Sequence, residues 1–382
     1  MEPARKADIP ALTGVRGVAA LWVAAYHLLL PAGFVTGAAA RLLGRGYLAV
    51  DLFFVLSGFV MALNYGALFR HTPELAVFAR FLWRRAARLY PLYGLIVVAR
   101  FAYTALRYGT FELPRPWIAA PLAHPALDIP ANLLLVQAWG VGDSSIGTAW
   151  SISVEWGAYF LFPVIALLML WRGARDAACM VALAVALVLV TAGMDALHGY
   201  HAGLLDAWDG ASPGPMLRCL GGFMLGVAVW RVHAVPAVRR VFGQGWVCAL
   251  AAASLLAMLA AGAPDLAVYP VFPALVLCLA AGGGGVARAL ATPAAVWLGE
   301  ISYALYLLHI FMLHPLDLAR AAARLMAPVA VADIAAPAAI FALLLALAHL
   351  AWRSVEIPAK RLMMALAGQP RSMHYVQLTP LR

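Results

Sequence analysis

Hydrophobic positions along the chain gather into long unbroken runs, separated by short clusters of charge, glycine and proline. Runs long enough to span a bilayer lie near 11–30, 47–66, 89–107, 149–171, 178–197, 214–231, 245–262, 267–285, 294–317 and 333–352. A helix of about 20 residues rises ~30 Å, the thickness of a hydrocarbon core. The pattern predicts an all-α, polytopic integral membrane protein with about ten transmembrane helices. It forms one integral-membrane domain over 1–366, followed by a short cytoplasmic tail over 367–382. A shorter apolar piece at 132–139 cannot cross and predicts a surface or re-entrant segment. The GGGG stretch at 282–285 predicts close helix packing by small residues.

Charge gives these helices a direction. Arg5, Lys6, Arg80, Arg84, Arg85, Arg88, Arg172, Arg175, Arg239, Arg240, Arg353 and Lys360 fall on one set of loops and span ends. The other set has fewer cations, among them Arg41, Arg45, Arg107, Arg115, Arg218 and Arg320, and holds most of the loop carboxylates, including Glu112, Asp128, Asp143, Asp206 and Asp209. By the positive-inside rule the first set is cytoplasmic and both termini are inside, as an even number of spans requires. The longest outer loop, about 108–148, is a candidate lid or acceptor platform. No signal-peptidase pattern follows MEPARKAD, so the first run is expected to stay as an uncleaved span.

Composition agrees. Hydrophobic residues make up 65% of the chain and charged residues 12%, against roughly 25% charged in a soluble domain. The formal net charge of +10 sits at span ends and in short loops, where the partners are lipid headgroups and phosphates and no nucleic acid is expected. Cys179, Cys219, Cys248 and Cys278 lie in or beside apolar runs without metal-ligand spacing, so neither a disulfide nor a metal is expected.

Against this background, ionisable groups inside the runs are the informative ones, because each costs at least ~2.5 kcal/mol to insert. The first run carries Arg16 and His27, eleven residues apart. That spacing is three helical turns plus ~20°, so both lie on one face, ~16 Å apart along the axis. Such a face fits the wall of a path; snorkelling by Arg16 and simple packing by His27 are the alternative. His27, Asp51 and Glu155, from three different runs, fall at similar depth below the outer surface. They suit a histidine general base oriented by Glu155 or Asp51, or else a structural polar cluster. At the opposite surface, Arg85 and Arg88 share a helical face and, with Arg16, suit a phosphate-bearing ligand. Topology alone would also leave arginines there. Glu300 falls at a level where it could pair with Arg16, and His309 lies deeper on the same helix, where packing is the simpler role.

Six segments, ALTGVRGVAALWVAAYH, GYLAVDLFFVLSGFV, RRAARLYPLY, TAWSISVEWGAYFLFP, LGEISYALYLLH and RSVEIPAKR, resemble in order those of the bacterial acyltransferase family 3. These are membrane O-acyltransferases that modify surface glycans, nodulation factors and some antibiotics. The resemblance runs from residue 9 to about 361. It implies a ten-helix core in the bacterial cytoplasmic membrane, with acyl-CoA, most often acetyl-CoA, as co-substrate and no bound cofactor. The acyl group would pass to a hydroxyl of an extracytoplasmic glycan or small molecule. Arg16, His27, Arg85, Arg88 and Glu155 match functional positions; Asp51, Ser57, Tyr303, His309 and Glu356 match motif positions, and Glu300 stands where many members carry a basic residue. A proton-coupled secondary transporter, relaying protons through His27, Glu155 and Asp51, is the alternative; the lack of an internal repeat argues against one built from inverted halves.

Overall fold

The computed structural model describes residues 9–367 apart from 32, 34, 72–73, 109–124, 199–201 and 209–211. The tail beyond 367, the middle of the 108–148 loop and Asp209 lie outside the described residues. The chain opens with α1 (Pro10–Leu29), a short α2 (Gly37–Gly44), α3 (Ala49–Tyr65) and the long α4 (Leu75–Tyr108). Next are α5 (Pro125–Leu133), α6 (Trp150–Ala166), α7 (Ala174–His198) and α8 (Gly214–His233). A more broken stretch follows: α9 (Pro236–Phe242), α10 (Gly245–Ala261), α11 (Asp265–Val268), α12 (Val271–Ala280), α13 (Gly284–Leu290), α14 (Pro293–Glu300) and α15 (Ser302–Leu308). A tight turn at His309–Met312 leads to α16 (Leu313–Met326), then α17 (Val329–Ala351), a wide turn at Trp352–Glu356, and α18 (Ile357–Leu366). Among the described residues there is no strand.

Six helical segments are long and apolar enough to cross a membrane: Pro10–Leu29, Gly37–Phe69, Gly147–Trp171, Ala174–Leu197, Gly214–His233 and Val331–Leu366. Three bent pairs bring the count to nine. They are Pro236–Phe242 with Gly245–Ala261 at 64°, Asp265–Ala280 with Gly284–Leu290 at 84°, and Pro293–Glu300 with Ser302–Met326 at 52°. The protein is therefore polytopic, with six to nine candidate spans where the runs predict about ten. The remaining run, 89–107, lies inside α4, which also carries Arg80, Arg84, Arg85, Arg88 and Arg100. Its 34 residues measure ~51 Å, well beyond a ~30 Å core, so a large part of α4 extends past the apolar slab.

Close approach of backbones organises the interior. At Gly58 of α3 an added Cβ would overlap the Phe223 carbonyl of α8, and at Gly226 of α8 it would overlap that of Val55, so the two helices pack backbone against backbone. The glycine stretch at 282–285 packs closely against α10, as its composition predicts, since a Cβ on Gly283 would stand 2.6 Å from Cys248 Sγ and one on Gly284 would overlap Gly245 Cα, and it has a second role as a turn. Gly282 and Gly284 have φ of +92° and +63°, which L side chains rarely adopt, and they make the sharp break between α12 and α13. The piece at 132–139 is folded back against α6. Ser153 accepts from the Ala138 amide (3.1 Å) and donates to the Leu135 carbonyl (2.9 Å), while Asn132 bonds the carbonyls of Asp128 and Asp143 at 2.8 and 2.7 Å. Non-helical backbone at this depth needs such internal partners.

Candidate functional site

A cavity of about 370 Å³ lies where α1, α3, α4, α6, the α14–α15 bend and α18 meet. Sites for small molecules run from ~300 to ~1,000 Å³. Its charged lining is Arg16 from α1, Arg85 and Arg88 from α4, Lys360 from α18, Glu155 from α6 and Glu300 from the end of α14. Four cations face two carboxylates, so the cavity favours an anion. Ser57, Tyr159, Tyr303 and Tyr306 add hydroxyls, and Phe53, Leu56, Val60 and Met61 of α3 provide an apolar wall.

The three arginines predicted to hold a donor are thus brought together, each by a different device. Arg16 reaches the bend between α14 and α15, donating from Nη2 to the Gly299 carbonyl (2.9 Å) and from Nε to Ser302 Oγ (3.1 Å). A helix that stops inside a protein leaves carbonyls without intrahelical donors, and Arg16 supplies them. The glycines at 17 and 299 let α1 come close enough, since a Cβ on Gly17 would stand 2.6 Å from the Gly299 nitrogen. Arg85 donates to Tyr65 Oη (2.6 Å) and lies over the Tyr65 ring, 4.7 Å from its centroid. Arg88 lies 5.8 Å above the Tyr303 ring, with Nη1 4.0 Å from Glu356 Oε2. Tyr303 is held in turn by its bond to the Leu89 carbonyl at 2.7 Å.

Glu300, which could have paired with Arg16, is instead exposed at the cavity edge, because the bend turns the Gly299 carbonyl and Ser302 toward Arg16.

The catalytic trio is not assembled as the sequence predicts. Asp51 is fully buried and paired with Arg218, which donates from Nη2 (2.7 Å) and Nε (3.0 Å) and is itself fully buried. Arg218 also donates to the carbonyls of Tyr47 (2.9 Å) and Ala207 (3.1 Å). Arg218 is therefore an interior residue of α8 rather than a loop cation, and Asp51 neutralises it. Glu155 accepts hydrogen bonds from Ser57 Oγ and from Tyr159 Oη, the latter at 2.6 Å. His27 meets neither carboxylate. Its Nδ1 lies 3.0 Å from the Val23 carbonyl and 3.2 Å from Nε2 of His309, and the rings are 5.0 Å apart. His309, read from its run as a packing histidine, is fully buried beside His27. The pair stands outside the cavity lining, behind Tyr306, whose carbonyl is 2.6 Å from His309 Nδ1 and whose hydroxyl bonds Ser151 at 2.7 Å.

Tyr159 and Lys360 are among the lining residues that the sequence does not single out. Tyr159 lies four residues after Glu155, the helical spacing that makes them neighbours, and Lys360 lies four after Glu356 in the same way. That i, i+4 spacing was the available signal. Glu356 itself is buried, and among the described residues neither of its oxygens has a hydrogen-bond partner. Among the described residues no group of three or more His, Cys, Asp or Glu side chains could hold a metal.

Comparison with known proteins agrees with this architecture. The family described as an acyltransferase domain, family 3, matches residues 9–354. Acyltransferase MdmB of Streptomyces mycarofaciens is 29% identical over 337 residues, which is 81% of this chain and 80% of its own length. Protein 2 in the picA locus of Rhizobium radiobacter is 42% identical over 112 residues, 28% of this chain and 50% of its own length. No solved structure matches. With a family match over nearly its whole length and several helices able to span a bilayer, the chain belongs to acyltransferase family 3 and is a membrane acyltransferase.

Proposed function

We propose that the protein is an O-acyltransferase that takes an acyl group, acetyl in the simplest case, from cytoplasmic acyl-CoA. The group passes to a hydroxyl of a glycan or small molecule on the other side of the cytoplasmic membrane. The observation that carries this reading is the cavity in which Arg16, Arg85, Arg88 and Lys360 converge beside an apolar wall. The phosphates of a CoA thioester match the cations, since arginine grips phosphate with charge-assisted hydrogen bonds. Its pantetheine arm matches the apolar wall, with Ser57, Glu155 and Tyr159 as polar partners for its amides.

In this reading His27 is the general base, and the acyl end of the donor reaches it past Tyr306. The acceptor hydroxyl gives its proton to His27 as its oxygen bonds to the thioester carbonyl carbon. The carbon–sulfur bond then breaks, and the CoA thiolate leaves with the proton returned by the imidazolium. Glu155 serves the donor site, where its hydrogen bonds lie, and does not orient the base.

The test is transfer of label from radiolabelled acetyl-CoA by purified protein in nanodiscs, with an envelope fraction as acceptor source. Label covalently bound to acceptor supports the reading. Intact acetyl-CoA after prolonged incubation with acceptor contradicts it, and is what a transporter would give.

A further inference from the structure

We propose that His27 and His309 form a working dyad, in which His309 is a positioning residue that fixes the tautomer of His27 and shares its positive charge. This rests on the reading of His27 as the general base.

The tautomers follow from the carbonyls around the two rings. A backbone carbonyl can only accept a hydrogen bond. The Tyr306 carbonyl stands 2.6 Å from His309 Nδ1, so that nitrogen carries a proton, and in a neutral ring Nε2 is then a lone pair. The Val23 carbonyl stands 3.0 Å from His27 Nδ1, which therefore carries a proton as well. His309 Nε2, 3.2 Å from His27 Nδ1, is the second acceptor for that same N–H. The reverse assignment would set two lone pairs against two carbonyl oxygens. One arrangement of protons satisfies all three contacts, and it leaves His27 Nε2 as a lone pair with no hydrogen-bond partner among the described residues.

Burial separates the roles. His309 is fully buried, whereas His27 is half-buried. Only His27 can meet an acceptor. When Nε2 of His27 takes a proton, its Nδ1–H becomes a stronger donor, and His309 Nε2 is already in place to receive it. This is the position a buried carboxylate holds in a Ser-His-Asp triad, filled here by a neutral ring. A neutral partner avoids placing a permanent anion in an apolar interior, where ionised groups are costly. The other titratable groups in contact with the two rings are Tyr26, 4.7 Å from His27 between centroids, and Tyr306, 5.7 Å from His309. Among the described residues no carboxylate or guanidinium bonds either ring.

Two measurements test the dyad. The first is steady-state acyl transfer by wild type, His27→Gln, His309→Gln and His309→Leu, each purified in nanodiscs. Glutamine can accept the Nδ1–H of His27 through its amide oxygen, and leucine cannot. The expected result is near-complete loss in His27→Gln, a kcat lowered ~10- to 100-fold in His309→Leu with donor KM unchanged, the range seen for lost orienting partners of metal-bound histidines, and substantial recovery in His309→Gln. Wild-type kcat in His309→Leu alongside an inactive His27→Gln overturns the dyad and leaves His27 as base. Normal turnover in His27→Gln overturns the base reading and the dyad with it. The second measurement is nitrogen NMR of the wild-type protein labelled in its histidines, assigned with the two glutamine variants, and it does not depend on how His309→Leu folds. The dyad requires both rings neutral with the proton on Nδ1; a proton on Nε2 of resting His27 overturns it.

Discussion

At the scale of single residues, the ionisable groups inside the apolar runs sort into those that hold helices together and those that line the cavity. Asp51 belongs to the first kind, because its carboxylate is spent on the buried Arg218 guanidinium. Asp51→Asn should leave that cation without its anion and lower stability by ~3–5 kcal/mol. Thermal unfolding in detergent checks this, and a joint Asp51→Leu, Arg218→Met exchange should recover most of the loss; a fully stable Asp51→Asn variant would contradict the assignment. Glu155 belongs to the second kind. Since its partners are Ser57 and Tyr159 in the cavity, Glu155→Gln should raise the donor KM more than it lowers kcat, as steady-state kinetics with varied acyl-CoA would read. His27→Gln, in contrast, should cost ~10² to 10⁴ in turnover at saturating donor. Roughly equal effects of the two changes on kcat would mean that the separation of Glu155 from His27 does not carry into the reaction.

At the scale of elements, the bend between α14 and α15 does more for the site than any straight helix. It exposes the Gly299 carbonyl and the Ser302 hydroxyl to Arg16, and so fixes one wall of the cavity. Arg16→Lys retains the charge, but a single ammonium cannot reproduce a planar fork that bonds both groups. The variant should bind acyl-CoA at least tenfold more weakly and melt at lower temperature, by donor titration and thermal unfolding. Wild-type affinity would reduce Arg16 to a point charge. This element also marks where the runs of hydrophobic residues stop being informative. The run 294–317 reads as one span, because periodicity sees apolar length and not backbone direction, and its Gly-Glu-Ile-Ser break is short and only mildly polar. Gly282 and Gly284 carry the same lesson: glycine permits both close packing and a left-handed turn, composition points to the first, and only the backbone geometry shows that Gly284 does both.

At the scale of the whole molecule, much of the arginine cavity, the proposed donor site, is legible in the sequence. Arg16, Arg85 and Arg88 share one cavity because helical spacing fixes their faces and charge fixes their end of each helix. The carboxylates are less legible. Similar depth on three helices does not place three side chains in contact, since each helix can rotate about its axis, and the rotation of α3 is set by Gly58 and Gly226 against α8. That rotation turns Asp51 toward Arg218. The pairing of His309 with His27 is hidden for a related reason: a lone histidine in an apolar run shows no partner until the fold supplies one. In the proposed reaction a donor from the cytoplasm, held by the arginine cavity, supplies the acyl group to an acceptor on the far side. Sealed vesicles of the two orientations, given membrane-impermeant radiolabelled acetyl-CoA from outside, test it most directly. Inverted vesicles, with the cytoplasmic face out, should label acceptor trapped inside, and Arg85→Ala, Arg88→Ala vesicles should need at least tenfold more donor to do so. Labelling confined to right-side-out vesicles would contradict a cytoplasmic donor, and equal donor demand by the double variant would contradict its capture by the arginine cavity.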